Sequence, residues 1–202
     1  MTGQWTRYYE HAGPEPRATL LLALDRFESE QPPQASRFAV DLGCGTGRDT
    51  AELLRRGWQV LAIDTQAEAI ERLQGSIGEQ RLLSTKVAPI DDADWPQALL
   101  VNASFSLPFC GADRFPAVWE HIRGSLVTGG RFCGQLFGDR DGWATGGASP
   151  AKGEITFHTR DEVETLVAPY DVERLDEIEE DGQTAVGDPK HWHVFHLVLR
   201  KP

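Results

Sequence analysis

At 202 residues, with 40% hydrophobic and 25% charged positions, the chain is long enough to bury one core without disulfide or metal staples. Its three cysteines, Cys44, Cys110 and Cys133, are odd in number and widely spaced, which argues against a disulfide framework and for a reducing compartment. A net charge of −11, from 20 basic and 31 acidic residues, provides no basic stripe for nucleic acid; with no secretory pattern and no apolar run near the ~18 residues of a membrane span, a cytoplasmic protein with no membrane partner is expected.

Pro16–Glu30 is predicted as the first helix, with Leu20, Ala23, Leu24 and Phe27 at helical spacing, and Pro32-Pro33 ends it. Trp5, Tyr8 and Tyr9 lie before it. They form either a lid over a ligand or a flap over a sheet edge. Phe38–Leu42 is a short apolar strand that breaks into Gly43-Cys44-Gly45-Thr46-Gly47, followed by a helix over Arg48–Arg56. Gln59–Ile63 is a second buried strand ending at Asp64. Thr65 and Glu68 then have capping-box spacing for a helix bearing Ala69, Ile70 and Leu73. Leu82–Val87 and Ala98–Ala103 are expected strands, Phe115–Leu126 a helix, and Arg131–Phe137 a fifth strand after the Gly129-Gly130 turn. Thr159 and Glu162 cap a short helix through Val167, and Val172–Glu180 and Val194–Arg200 read as an antiparallel pair. The alternation predicts an α/β fold on a mostly parallel sheet, as one domain over 1–202 with an N-terminal lid or helix over 1–35 and the core over 36–202.

The glycine loop lies at a strand-to-helix turn, where open α/β sheets bind ligands. A dinucleotide fingerprint would place its third glycine at position 48, which is Arg48. The alternating glycines instead favour a cofactor with no pyrophosphate to seat. Asp64 closes the next strand about 20 residues on, where a carboxylate accepts ribose hydroxyls.

Asp41–Gly47 resembles motif I, and Asp64 the motif II acid, of class I S-adenosylmethionine (SAM)-dependent methyltransferases. Leu126-Val127-Thr128-Gly129-Gly130 resembles their turn into strand five, with Thr128 where proline is usual. Trp5, Tyr8-Tyr9 and Ser106–Cys110 are similar to small bacterial tellurite-resistance (TehB-like) members. The resemblance implies a Rossmann-like seven-stranded sheet of order 3-2-1-4-5-7-6 with its last strand antiparallel and helices on both faces. SAM would be the methyl donor and S-adenosylhomocysteine the product. By the same resemblance Asp41, Gly43, Cys44, Gly45 and Gly47 would border the methionine part, and Asp64 with Thr65 the ribose. Ile90 and Asp91 would face the adenine, after Pro89 in a place where family members often carry an acid. Asn102, Ala103 and Ser104 would lie beneath the sulfonium, and Arg17 would pair with the SAM carboxylate.

Candidates for the acceptor side are His158 and Arg160, which flank a helix cap and could orient an anionic acceptor; a plain loop histidine beside a cap fits the same pattern. His191 and His193 share a strand face, but no third ligand has useful spacing, so no metal is expected. Cys110 has no evident base neighbour and fits apolar packing. The acidic stretch Asp161–Asp181 is a solvated face. The expected reaction is methylation of a small molecule, either a tellurite- or selenite-type oxyanion or a metabolite. A non-catalytic SAM-binding regulator and, further off, a nicotinamide-dependent oxidoreductase remain as alternatives. The sequence leaves the oligomeric state open.

Overall fold

A computed structural model describes residues 3–78, 80–146 and 155–202. Parallel strands β1 (Phe38–Leu42), β2 (Gln59–Asp64), β3 (Leu83–Val87), β4 (Ala98–Ala103) and β5 (Leu126–Gly138) make up the first part of the sheet. A two-residue strand, β6 (Phe157–His158), pairs with the end of β5. The last two strands are β7 (Asp171–Gln183) and β8 (Pro189–Arg200). The order is β3-β2-β1-β4-β5-β8-β7, with β8 antiparallel to both neighbours. Set the short β6 aside and this is the expected 3-2-1-4-5-7-6 sheet.

The connecting helices are α1 (Gly3–His11), α2 (Ala18–Glu30), α3 (Arg48–Arg55), α4 (Ala67–Ile77), α5 (Phe115–Ser125) and α6 (Arg160–Val167). Both faces of the sheet are covered, so its central strands are apolar on both sides. Alternation along β1 shows the division: Ala39 packs with Leu20, Leu24 and Phe27 of α2 and Leu53 of α3, while Val40 and Leu42 pack with Val118 and Ile122 of α5. Both layers meet on strands that end at the same edge, and the ligand-bearing loops collect there.

Two helix starts depart from the sequence patterns. Thr65 and Glu68 form no capping box: Gln66 is the N-cap of α4, and its backbone N–H donates to Asp64 Oδ1 at 2.8 Å. Glu68 instead accepts from Thr6 at 2.7 Å and from Arg72. The carboxylate one position earlier reaches the exposed amide first. Helix α2 begins at Ala18 rather than Pro16, because Arg17 N–H is turned out to donate to Asp49 Oδ1 at 2.9 Å. The capping box of Thr159 and Glu162 is present on α6.

Arg131 joins sequence-distant parts of the sheet. Its guanidinium is buried and donates in two forks, to Glu30 of α2 and to Glu173 of β7, at 2.6–2.9 Å. It also stacks 4.4 Å from the Phe27 ring centroid.

Candidate active site

The glycine loop is held from below by the next strand. Gly43 and Cys44 N–H both donate to the Ile63 carbonyl, at 2.8 and 3.0 Å, which folds the chain back at the end of β1. Gly43 has φ +68, and a Cβ there would sit 2.3 Å from Ser106 Cβ, so only glycine fits. Gly45 N–H then donates to Asp64 Oδ2 at 2.9 Å. Asp64 thereby holds the glycine loop with one oxygen and the start of α4 with the other. Burial pushes its carboxyl up from the ordinary range, opposed by the backbone donors of Gln66, Gly45 and Thr65.

Beneath the loop lies a buried polar floor. Asp41 accepts from Thr50 at 2.5 Å and from Asn102 at 2.8 Å. Asp49, on the first turn of α3, accepts from Asn102 at 3.1 Å, from Ser104 at 2.6 Å and from the Arg17 amide. Burial, followed by the nearby Asp49 carboxylate, raises the Asp41 carboxyl to about 7, against the pull of its two donors. Asn102, fully buried on β4, ties the two acids together and fixes the depth of the loop above them.

Helix α1 roofs this loop. Thr6 bonds α4 through Glu68, and Arg48 Nη2 donates to the Tyr8 hydroxyl at 2.9 Å. Tyr9 is buried, with its ring edge 3.7 Å from where a Cβ on Gly45 would be. The aromatic segment thus covers the glycine loop rather than a sheet edge. Arg17 lies close by, half-buried, its guanidinium 4.5 Å over the Phe105 ring. Its Nε is buried with no hydrogen-bond partner. Burial and then the neighbouring Arg48 charge pull its pKa down. Arg17 and Arg48 thus set two cations side by side here, with Tyr8 and Asp49 next to Arg17.

A single cavity of about 1060 Å³ runs from this loop across the strand ends. Its first end is lined by Gly43, Gly45, Asp64, Thr65, Ile90 and Asp91. Its other end is aromatic: Trp5, Phe105, Phe109, Phe137, Trp143 and Trp192, with His196 beside them. Phe105 stands where the ends meet. It holds φ +54, unusual for an aromatic residue and costing about 1–3 kcal/mol. Its N–H donates to Gln135 Oε1 at 3.0 Å, and Gln135 donates on to Thr19 at 2.9 Å. Behind the aromatic wall, buried Lys190 pairs closely with buried Asp141, and its ammonium lies 3.6 Å from the Trp192 ring centroid and 4.1 Å from that of Trp143. Asp141 also accepts the Trp143 backbone N–H at 3.0 Å, so the same ion pair holds the chain at Trp143 and lies against both indoles.

The structure gathers most of the residues singled out in the sequence. Arg17, Gly43, Gly45, Asp64, Thr65, Ile90, Asp91 and Ser104 line the cavity, and Asp41 and Cys44 line a recess of about 50 Å³ beside it. Gly47, Asn102 and Ala103 lie behind the lining, Gly47 against Leu73 and the other two fully buried in β4. The two acceptor-side candidates are not brought to the cavity. Phe157 stacks on Phe137, and strand alternation turns His158 the opposite way, 4.5 Å from Phe115 with its Nε2 unpartnered. Burial lowers its pKa. Arg160 is engaged by Glu164 and Glu177 at the surface. His191 and His193 face away as well, bonded to Asp181 and to Glu177. His11 and His196 are the histidines that line the cavity, and His196 is the one at its aromatic end. Its signal was the two-residue period Lys190, Trp192, Val194, His196 along β8.

Residues 39–130 match the family model of a methyltransferase domain. The carboxy-S-adenosyl-L-methionine synthase of Stutzerimonas stutzeri is 31% identical over 101 residues, 45% of this chain and 41% of that protein. An uncharacterised methyltransferase of Mycobacterium tuberculosis is 36% identical over 73 residues, 35% of this chain and 30% of its own length. The matches thus span less than half the length of these curated relatives. Among solved structures, TehB from Haemophilus influenzae superposes with a TM-score of 0.70 at 16% identity, covering 89% of this chain and 61% of that one. With the sheet order, the glycine loop and its partner acid, residues 39–130 thus match a methyltransferase domain, and the fold is like that of TehB.

Proposed function

We propose that the protein transfers a methyl group from SAM to a small organic acceptor bound at the aromatic end of the cavity. The observation that carries this is the continuity of the cavity: one space of about 1060 Å³ joins the nucleoside-type end to an aromatic end, more than one small ligand fills. The residues fit the donor. Asp64 would take the ribose hydroxyls, the wall at Ile90 and Asp91 the adenine, and Arg17, with its buried unpartnered Nε, the amino-acid carboxylate. When bound, SAM supplies a methyl carbon on a positively charged sulfur that loses its charge on transfer. The protein's own work is placement. Asp64 holds the glycine loop and α4 in register, Phe105 and Ser104 divide the two ends, and α1 keeps water from the loop. Alignment of this kind is worth about 7–11 kcal/mol in favourable models.

A tellurite- or selenite-type acceptor would call for cations at the acceptor end. The residues proposed for that task, His158 and Arg160, lie outside the cavity lining among the described residues, and Arg17, the cation beside Phe105, is taken by the donor's carboxylate on this reading, which supports an organic acceptor instead. Calorimetry with SAM, S-adenosylhomocysteine and NADH tests the donor, and S-adenosylhomocysteine release with oxyanions and small metabolites tests transfer. SAM binding with acceptor-dependent release is the expected result. Binding without release by any acceptor would favour a SAM-binding regulator, and NADH binding alone would overturn the reading.

A further inference from the structure

The acceptor end has a chemistry of its own. Phe105 is 6.2 Å from Phe137, 6.3 Å from Trp192 and 6.2 Å from the His196 ring, and Trp143 lies 5.9 Å from Trp192. These rings come from three parts of the chain, the end of β4, the end of β5 with its following turn, and β8. His196 is the one imidazole among these rings. No hydrogen bond among the described residues engages its ring, so its nitrogens are not committed to the scaffold as those of His191 and His193 are. The charged groups facing it are Arg174 and Asp176 on β7 and Arg17 ahead of α2. Burial first, then Arg174, lowers its pKa, with Asp176 opposing and Arg17 adding to the fall. The imidazole is therefore held in its neutral, proton-accepting form.

We propose that the acceptor is a planar aromatic or heteroaromatic molecule with an ionisable O–H or N–H, stacked within the wall of Phe105, Phe137, Trp143 and Trp192, and that His196 is the base that takes its proton. This rests on the methyl-transfer reading above. A flat ring matches the π faces on offer, and an ionisable heteroatom is what a base in the lining serves. In the step, the acceptor heteroatom bonds to the methyl carbon and the carbon–sulfur bond breaks. Its electron pair goes to sulfur, and the acceptor's proton passes to the His196 imidazole and then to water.

The test uses the whole chain, with S-adenosylhomocysteine affinity measured first. A panel of phenols, hydroxycoumarins and N–H heterocycles is then titrated by tryptophan fluorescence and calorimetry, with sodium tellurite alongside. At least one flat member should bind and quench the indoles. Trp192→Leu or Trp143→Leu should weaken it tenfold or more while S-adenosylhomocysteine affinity stays within about twofold, which also shows the variant is folded. Binding that falls with Asp64→Ala but not with either indole variant would place the probe in the nucleoside end and overturn the proposal. So would binding of tellurite with no response to any flat compound. For the base, His196→Gln should leave probe affinity within about threefold, lower transfer about 100-fold and abolish the acid limb of the rate–pH profile. An unchanged profile would remove His196 from the role. Failure of S-adenosylhomocysteine to bind would instead strike the function reading, and the panel result on the cofactor-free protein would still decide the stacking site.

Discussion

The two ends of the cavity are made of different material. The nucleoside end is backbone and carboxylate: Gly43, Gly45 and the amide of Gln66 are held by Ile63 and Asp64, all within the consecutive run from β1 to α4. The acceptor end is side chain, assembled from Phe105, Phe137, Trp143 and Trp192 and held by Lys190 and Asp141. A site of backbone depends on local geometry and tolerates little change. A wall of side chains can be remodelled ring by ring without disturbing the turn beside it. On the proposed reading the molecule separates what is fixed by the cofactor from what is free to define the acceptor.

The largest effect should come from Lys190→Met. It leaves buried Asp141 without its cation, and removing one partner of a buried pair costs about 3–5 kcal/mol. Urea unfolding should show the loss. Below the transition, tryptophan emission should shift while SAM affinity stays within about threefold. A parallel loss of SAM binding would mean the two ends are not independent. Next, Asp64→Ala removes an acceptor from two amides as well as the proposed ribose partner. SAM affinity by calorimetry should fall at least 100-fold, about 3 kcal/mol, with little change in the environment of Trp143 and Trp192.

Asp41 offers a pH test of the floor. Its folded pKa, about 7, lies above its ordinary value of 3.8, so the folded state binds the proton more tightly. Its contribution to stability is therefore complete below about pH 4 and is lost as pH rises through 7, with a slope of at most about 1.4 kcal/mol per pH unit. Asp41→Asn should flatten the unfolding-against-pH curve between pH 4 and 7. A curve as steep as the parent's would assign the slope elsewhere. The smallest effect belongs to a place remote from both ends. Thr159→Ala breaks the α6 capping box and should cost about 1 kcal/mol in a thermal melt, with binding at neither end altered.

The same contrast governs what could be read from the sequence. The glycine loop, Asp64 and the strand order follow from short-range patterns: a turn that needs glycine, a strand that ends in an acid, an alternation of periods. The acceptor wall depends on which face each side chain of β5, β6 and β8 takes and on strands distant in sequence lying side by side. His158 fell on the wrong face because β6 is only two residues long and its register against β5 is set by tertiary pairing. The HWH run drew attention to His191 and His193, while the residue that reaches the cavity, His196, carries no local mark beyond its parity with Trp192. At Thr65 the pattern was local but the competitor was closer: Asp64 caps the amide that the threonine was expected to take.

The placement of β8 between β5 and β7 bears on how the chain is made. As the polypeptide leaves the ribosome, β7 emerges before the strand that pairs it, and until β8 arrives it has no neighbour in the sheet. A long unpaired strand is an invitation to join the edge of another molecule. The acids along it, from Asp171 and Glu173 through Asp176, Glu177, Glu179 and Glu180 to Asp181, set like charge against like in any such encounter. In the finished protein β7 is still an edge strand, with most of these acids engaged by neighbouring cations such as Arg131, Arg140 and Arg160. The acids of β7 thus serve two states of the chain: repulsion between like charges while the strand is unpaired, and ion pairs once β8 has joined it.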